Sequence, residues 1–181
     1  MSLINREDTV FIAIDFQEKL MPVMSGKEEL EDKVCRLAEG MKALGIPHIV
    51  TQQYTKGIGE TIPSVAAALG EFEAIDKTSF SCLGNEEFVR QLNEIGRKTA
   101  VVCGIEAHIC LQQTVLQLLD EGYTVYVPAD CASSRSETDK IWSFARMGEA
   151  GAIMTTYEAI LYELLRGAKA PEFKAVSKIV K

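Results

Sequence analysis

The sequence alternates between short apolar segments rich in valine and isoleucine and longer segments whose apolar residues recur every three or four positions. The short segments have the length and composition of buried strands. Five are clear, and they lie at 9–14, 48–51, 99–103, 123–127 and 152–155, with a sixth expected at 73–76. Strands that alternate with helices favour a parallel sheet covered on both faces, so the alternation predicts an α/β fold.

The longer segments predict amphipathic helices. The first carries apolar residues from Leu30 to Leu44 and ends at Gly45 and Pro47, two residues that terminate helices. Further helices are expected at 86–95, 110–121, 137–150 and 157–165. The segment 53–64 has no clear period, and we expect it to be a loop over a site.

Composition restricts the class of protein. A chain of 181 residues with 47% hydrophobic and 25% charged residues predicts one globular domain over 1–181. The net charge of -7 disfavours a nucleic-acid partner. No apolar segment is long enough to cross a bilayer and residues 1–8 are too polar for a secretory signal, so we expect a cytoplasmic protein without a membrane partner. Five cysteines without a C-x-x-C pair argue against a disulfide framework or a structural zinc site.

Three reactive side chains follow predicted strands. Asp15 and Lys77 come directly after the strands at 9–14 and 73–76, and Cys110 lies near the start of the helix after the strand at 99–103. Ligands of open α/β sheets bind at the carboxyl ends of the strands, so an acid, an ammonium group and a thiol are expected to meet there. A helix start and a nearby lysine favour a thiolate, and Asp15 is a candidate acceptor for the thiol proton. From spacing alone, a packed cysteine and a turn-capping aspartate explain the same residues.

The same residues lie in three motifs, AIDFQ at 13–17, DKTSFS at 76–81 and GIEAHICLQQT at 104–114. In these motifs, and nearly from end to end, the chain resembles the isochorismatase-like cysteine hydrolases. The stretches QYTKG at 53–57, DCASSRS at 130–136 and PEFK at 171–174 are similar to the isochorismatase-domain-containing branch in particular.

The resemblance implies a three-layer α/β/α sandwich with a central six-stranded parallel sheet. It also implies that Asp15, Lys77 and Cys110 form a catalytic triad. A cis peptide bond is implied between Ile105 and Glu106, with the backbone N–H groups of Glu106 and Cys110 as the candidate oxyanion hole.

The resemblance also bears on the reaction. Isochorismatase itself lacks the cysteine, so the presence of Cys110 favours hydrolysis of a small amide or related C–N substrate through a thioester. Nicotinamidases bind a metal through an aspartate and histidines after the second strand, where this chain has Gln52, Gln53 and Tyr54. We therefore expect no metal ion and no cofactor. The family further suggests a homo-oligomer.

Several residues keep two interpretations. Phe16, Tyr54 and Phe80 either line a substrate pocket or pack in the core, and Gln17 either binds substrate or closes a turn. His108 is expected to be structural, because two residues before Cys110 on a helix its side chain points away from the thiol. The roles of Cys82 and Arg135 stay open.

Three other functions compete with a hydrolase. A binding or scaffold protein could keep the fold without the reaction. A ribonuclease is disfavoured by the acidic balance, and a redox-active thiol would need Cys82 or Cys103 as a resolving partner.

Overall fold

The computed structural model describes residues 3–181, so the first two residues of the expected domain and of the polar segment 1–8 lie outside the described range. Within that range the strands form one parallel sheet. They are β1 (Thr9–Ile14), β2 (His48–Gln53), β3 (Ile75–Lys77), β4 (Thr99–Ile105), β5 (Thr124–Pro128), β6 (Ala132–Ser133) and β7 (Ile153–Thr155). The spatial order is β3-β2-β1-β4-β5-β7, and β6 pairs with β4.

The predicted α/β class and parallel sheet are confirmed. Each of the six predicted strands is present, and β1 has the predicted bounds. The two-residue β6 is an addition that extends the sheet beside the end of β4, where Gly104 and Ile105 pair with Ala132 and Ser133. Two residues are too few to produce a periodic pattern, which is why the sequence does not indicate this strand.

Helices cover both faces of the sheet. They are α1 (Lys27–Ala43), α2 (Thr55–Ile58), α3 (Pro63–Leu69), α4 (Glu86–Ile95), α5 (Gln112–Asp120), α6 (Glu137–Glu149), α7 (Tyr157–Leu165) and α8 (Phe173–Ile179). The short helices α2, α3 and α8 were not predicted, and the segment 53–64, expected to be a loop, contains α2 and the start of α3. Pro63 begins α3 at a position where the missing N–H leaves no intrahelical bond unmade.

The core consists of two apolar layers separated by the sheet. Phe11 and Ala13 of β1 pack with the layer formed by α1, α3, α7 and α8. Ile12 and Ile14 pack with the layer formed by α4, α5 and α6. Successive side chains of a strand point to opposite faces, so both layers require the buried strand β1. None of the helices within residues 3–181 has the length and apolar content needed to span a bilayer.

The two central strands approach each other closely at their carboxyl ends. A Cβ atom on Gly104 of β4 would lie 2.5 Å from the Cβ of Ile14 in β1. Only glycine fits this contact, which brings the residues after β4 next to Asp15.

Candidate active site

Asp15 and Lys77 form a buried ion pair at the carboxyl edge of the sheet. Asp15 follows β1 with a φ of 59°, a left-handed conformation that aspartate tolerates better than most residues. Lys77 is the last residue of β3, and its Nζ lies 2.8 Å from Asp15 Oδ2. Both side chains are 0% exposed. An ion pair this deeply buried is tolerated only when its remaining polar atoms are also bonded.

Strand β2 lies between β1 and β3 and supplies two of those bonds. Thr51 donates its hydroxyl to Asp15 Oδ1 at 2.8 Å. The Lys77 ammonium donates to Gln53 Oε1 at 2.6 Å, and its other acceptors are the carbonyl oxygens of Ser79 (3.3 Å) and Phe80 (3.2 Å). Thr51 and Gln53 were not among the predicted site residues. The only signal for these two residues was that they occupy alternate positions on β2, the strand between the strands that carry Asp15 and Lys77 to the site.

Cys110 lies in a π-helical turn, Ala107–Leu111, that precedes α5. The residue is 6% exposed, and its carbonyl oxygen accepts a hydrogen bond from Thr114 Oγ1 at 2.7 Å. Burial raises the pKa of the Cys110 thiol, and the charge of Asp15 raises it further. Lys77 lowers that pKa but does not offset the burial. Burial therefore opposes the thiolate that the helix start and Lys77 favour, and the net direction of the Cys110 pKa is upward.

In contrast to the Cys110 thiol, which stays neutral, the Lys77 ammonium group keeps its charge. Burial alone would lower the pKa of Lys77, but the opposite charge of Asp15 and the nearby Cys110 outweigh it. The net direction is upward, so Lys77 remains positively charged at neutral pH. The site thus combines a permanent positive charge with a neutral thiol.

A second thiol lies beside the same ion pair. The Cys82 thiol is 3.8 Å from Thr51 Oγ1, and the Cys82 N–H donates to Thr114 Oγ1 at 3.0 Å. Burial and the charge of Asp15 raise the pKa of Cys82 to about 11. The Thr114 hydroxyl therefore connects the backbone of Cys82 with that of Cys110.

The turn before Cys110 places its backbone groups in a defined pattern. The peptide bond between Ile105 and Glu106 is cis. The Glu106 carbonyl oxygen accepts from the N–H groups of Ile109 (3.0 Å) and Leu111 (3.3 Å). Within residues 3–181, the N–H groups of Glu106 and Cys110 donate to no group outside this turn. The Glu106 N–H, which lies outside both β4 and the π-helical turn, is therefore available to a ligand oxygen.

Arg135 and Ser134 hold the same turn from the side of β6. The Glu106 carboxylate accepts from the Arg135 backbone N–H at 3.0 Å and from Arg135 Nε at 3.1 Å. His108 Nδ1 lies 2.8 Å from Ser134 Oγ. Arg135 and His108 therefore act on the turn and not on the thiol directly.

The residues expected to line the pocket divide into two groups. Phe16 is buried in the core layer beside α1. Gln17 is also buried, and its amide hydrogens go to the carbonyl oxygens of Gln53 (3.1 Å) and Gly59 (2.7 Å). Its Oε1 accepts from the Gln53 N–H at 2.6 Å, so Gln17 fastens the segment 53–59.

Tyr54 and Phe80 are each about half exposed. The Tyr54 N–H donates to the Lys77 carbonyl oxygen at 2.9 Å, and the Phe80 carbonyl oxygen accepts from Lys77 Nζ. The backbones of both aromatic residues therefore lie beside Lys77. In the described part of the chain, no three His, Cys, Asp or Glu side chains are grouped so as to hold a metal ion.

Asp15, Lys77 and Cys110 thus lie near one another at the carboxyl edge of the sheet. The isochorismatase domain model matches residues 9–159. The chain belongs to the isochorismatase family. The resemblance inferred from the three motifs is thereby confirmed, and family membership supports a hydrolase-like function.

Individual relatives cover nearly the whole chain. Isochorismatase domain-containing protein 2 of Xenopus laevis is 38% identical over 178 residues, which are 98% of this chain and 85% of the relative. A solved structure described as MAR1 ribonuclease from Caenorhabditis elegans is 38% identical, with a TM-score of 0.92 over 99% of this chain and 92% of that one. The Escherichia coli YcaC gene product, described as an octameric hydrolase of unknown specificity, is 21% identical. Its TM-score is 0.93 over 99% of this chain and 89% of that one, a likeness of fold alone.

Proposed function

We propose that this chain is a metal-independent cysteine hydrolase that acts on a small amide or a related C–N substrate through a thioester on Cys110. The observation that carries the proposal is the fully buried Asp15–Lys77 ion pair, whose charges both act on the Cys110 thiol. A thiol, a carboxylate and an ammonium group arranged in this way are a nucleophile, a base and an orienting group.

The first half of the reaction transfers an acyl group to the enzyme. Asp15 accepts the Cys110 proton while Sγ forms a bond to the substrate carbonyl carbon, and the carbonyl electron pair moves to oxygen. The N–H groups of Glu106 and Cys110 stabilise that oxyanion. The C–N bond then breaks, the amine leaves with the proton from Asp15, and a thioester remains.

Water completes the cycle. Asp15 accepts a proton from water while the water oxygen forms a bond to the thioester carbon. The C–S bond then breaks. Cys110 recovers a proton and the carboxylic acid leaves. Lys77 holds the Asp15 carboxylate in one orientation through both halves, since its Nζ bonds Oδ2 while Thr51 bonds Oδ1. Because the free thiol is neutral, proton transfer accompanies the attack.

The chemistry of the side chains at the carboxyl end of β2 supports a reaction without a metal. Amide side chains occupy this position, and Gln52 donates to Thr61 Oγ1 at 3.0 Å while Gln53 accepts from Lys77. Neither supplies the carboxylate or imidazole ligands that a catalytic zinc site uses. We propose no cofactor, a small-molecule substrate bordered by Tyr54 and Phe80, and a single domain over 1–181.

A panel of small amides and ureas tests the proposal by release of ammonia or amine. We expect Cys110→Ala to lower turnover at least about a thousandfold, as loss of a nucleophile does in other hydrolases. Cys103→Ala is the matched control, because Cys103 is a buried thiol of β4 whose pKa reflects burial and Asp130, not the ion pair. Mass spectrometry of quenched reactions should find the acyl adduct on the Cys110 peptide. Undiminished turnover in Cys110→Ala would refute the mechanism, and no turnover with no adduct would favour a binding protein.

A ribonuclease is the second candidate, supported by the description of the Caenorhabditis elegans structure at 38% identity. The net charge of -7 opposes binding to a phosphate backbone. We therefore expect no RNA cleavage by freshly purified protein, and no binding that weakens as salt is added. Cleavage that disappears in Cys110→Ala but persists in Cys103→Ala would instead assign ribonuclease activity to this site.

A further inference from the structure

The outer face of α6 exposes two large apolar side chains. The helix packs Ser143 and Met147 inward, while Ile141 is 61% exposed and Trp142, the chain's single tryptophan, is 70% exposed. Two consecutive apolar side chains left in water on one helix favour contact with another surface.

The exposed face has the spacing of a helix-packing stripe. Thr138, Ile141, Trp142 and Ala145 follow each other at intervals of three, one and three residues, so they lie on one side of the helix, and all four are exposed. Thr138 and Ala145 are small and lie one turn before and after the two large residues. This arrangement lets a second helix approach closely while the large side chains interlock.

Two charged residues flank Trp142 on the same side. Asp139 lies three residues before it and Arg146 four residues after it, and both are exposed. Neither side chain forms an ion pair with any residue from 3 to 181. The stretch 135–149 carries three acidic and three basic residues, although the whole chain has a net charge of -7. Like-charge repulsion between two copies is therefore small at this face.

We propose that this face of α6 binds the same face of a second copy of the chain. The two helices run antiparallel about a two-fold axis near Trp142. Asp139 of each copy then lies opposite Arg146 of the other, since the two residues are almost equally far from Trp142. A second copy therefore supplies an ion-pair partner to both Asp139 and Arg146, because a two-fold axis forms every contact twice. The proposal does not depend on the hydrolase function.

Tryptophan fluorescence and sedimentation equilibrium test the contact on the full chain. We expect wild-type protein to form a dimer, or a larger assembly with an even number of copies. Trp142 emission should shift from blue toward red as dilution exposes the ring. Trp142→Lys should raise the dissociation constant by about tenfold or more, as removal of a central aromatic residue does at other interfaces. Leu3→Lys, at another exposed apolar residue, is the matched control and should leave it unchanged.

Charge reversal tests the antiparallel pairing. Asp139→Arg and Arg146→Asp should each weaken assembly, whereas the double variant should restore it, because each pair is then rebuilt with the signs exchanged. Circular dichroism identifies any variant that fails to fold. A monomer at every concentration, unchanged assembly in Trp142→Lys, or a double variant as weak as the single ones would each overturn the proposal.

Discussion

Two groups of charged residues in this molecule have similar contacts and different surroundings. At the sheet edge Lys77 Nζ lies 2.8 Å from Asp15, and both side chains are 0% exposed. On α4, Arg90 pairs with Glu87 and Glu94 at comparable distances, but its side chain is 54% exposed. Water can replace either partner of Arg90, whereas nothing replaces a partner of Lys77. Burial, more than distance, decides which ion pair can govern a reactive thiol.

The ion pair between Glu106 and Arg135 is intermediate. The Glu106 side chain is almost completely buried, and Arg135 is mostly exposed. This pair holds the turn that carries Cys110, so it connects the solvent-exposed surface with the buried site. These three groups of charged residues form a graded series in which burial changes and the chemistry of the charges does not.

Removal of one partner of the buried pair should have the largest effect. We expect Lys77→Met to lower the free energy of unfolding by about 3 to 5 kcal/mol, because it leaves the Asp15 carboxylate buried without its counter-charge. Urea unfolding followed by circular dichroism measures the change. The double variant Asp15→Asn with Lys77→Met should recover part of the loss. A double variant that loses the sum of the two single effects would show that the pair is not coupled.

Alkaline pH should weaken the fold through the buried thiols. Burial raises the pKa values of Cys82, Cys103, Cys110 and Cys131 in the folded protein. Each thiol therefore ionises first in the unfolded chain, so its contribution to stability is complete below about pH 8.5 and is lost as pH rises toward the folded pKa. The loss is about 1.4 kcal/mol per pH unit for each thiol.

Urea unfolding at several alkaline pH values measures that slope. Cys131→Ala should reduce that slope by the share of one thiol, about 1.4 kcal/mol per pH unit, although the variant is less stable than wild type near neutral pH because it loses packing. An identical slope in wild type and Cys131→Ala would contradict the assignment of the lost stability to buried thiols.

Loss of the half-buried ion pair between Glu106 and Arg135 should change the free energy of unfolding by a smaller amount. We expect Arg135→Ala to lower the free energy of unfolding by about 1 kcal/mol, since Glu106 keeps the hydrogen bond from the backbone N–H of residue 135. Glu106→Gln, which keeps the shape and removes the charge, is the companion variant. A loss as large as that of Lys77→Met would show that the turn depends on the exposed guanidinium.

Loss of the exposed Arg90 ion pairs on α4 should change the free energy of unfolding least. Arg90→Ala is expected to leave the midpoint of urea unfolding within experimental error of wild type, because solvent screens the charges on α4. The same experiment in high salt should give the same result. A clear loss of stability would mean that exposure is a poor guide to the strength of these ion pairs.

Most of the sheet was predictable because its strands are long enough to show a pattern. The six-residue β1 and the helices α4 and α7 have the predicted bounds. The elements that were missed are short: α2 has four residues and β6 has two. Tertiary contacts stabilise such elements, and their own sequence carries little periodicity.

The candidate site was predictable in its charged residues and less so in their partners. Asp15, Lys77 and Cys110 follow strands, where chemistry is expected in this fold class. Thr51 and Gln53 look like ordinary strand residues, and only the register of β2 between β1 and β3 brings them to the ion pair. The sequence does not predict that the pKa of Cys110 is raised, because it shows neighbouring charges but not the depth of burial.

The most direct test of the account is the pH dependence of Cys110 alkylation, followed by peptide mass spectrometry in wild type, Asp15→Asn and Lys77→Met. Asp15 raises the pKa of Cys110 and Lys77 lowers it. The onset of alkylation should therefore move to lower pH in Asp15→Asn and to higher pH in Lys77→Met, while Cys103 is unaffected in both. Shifts in the same direction, or no shift in either variant, would contradict the claim that these three residues form one site.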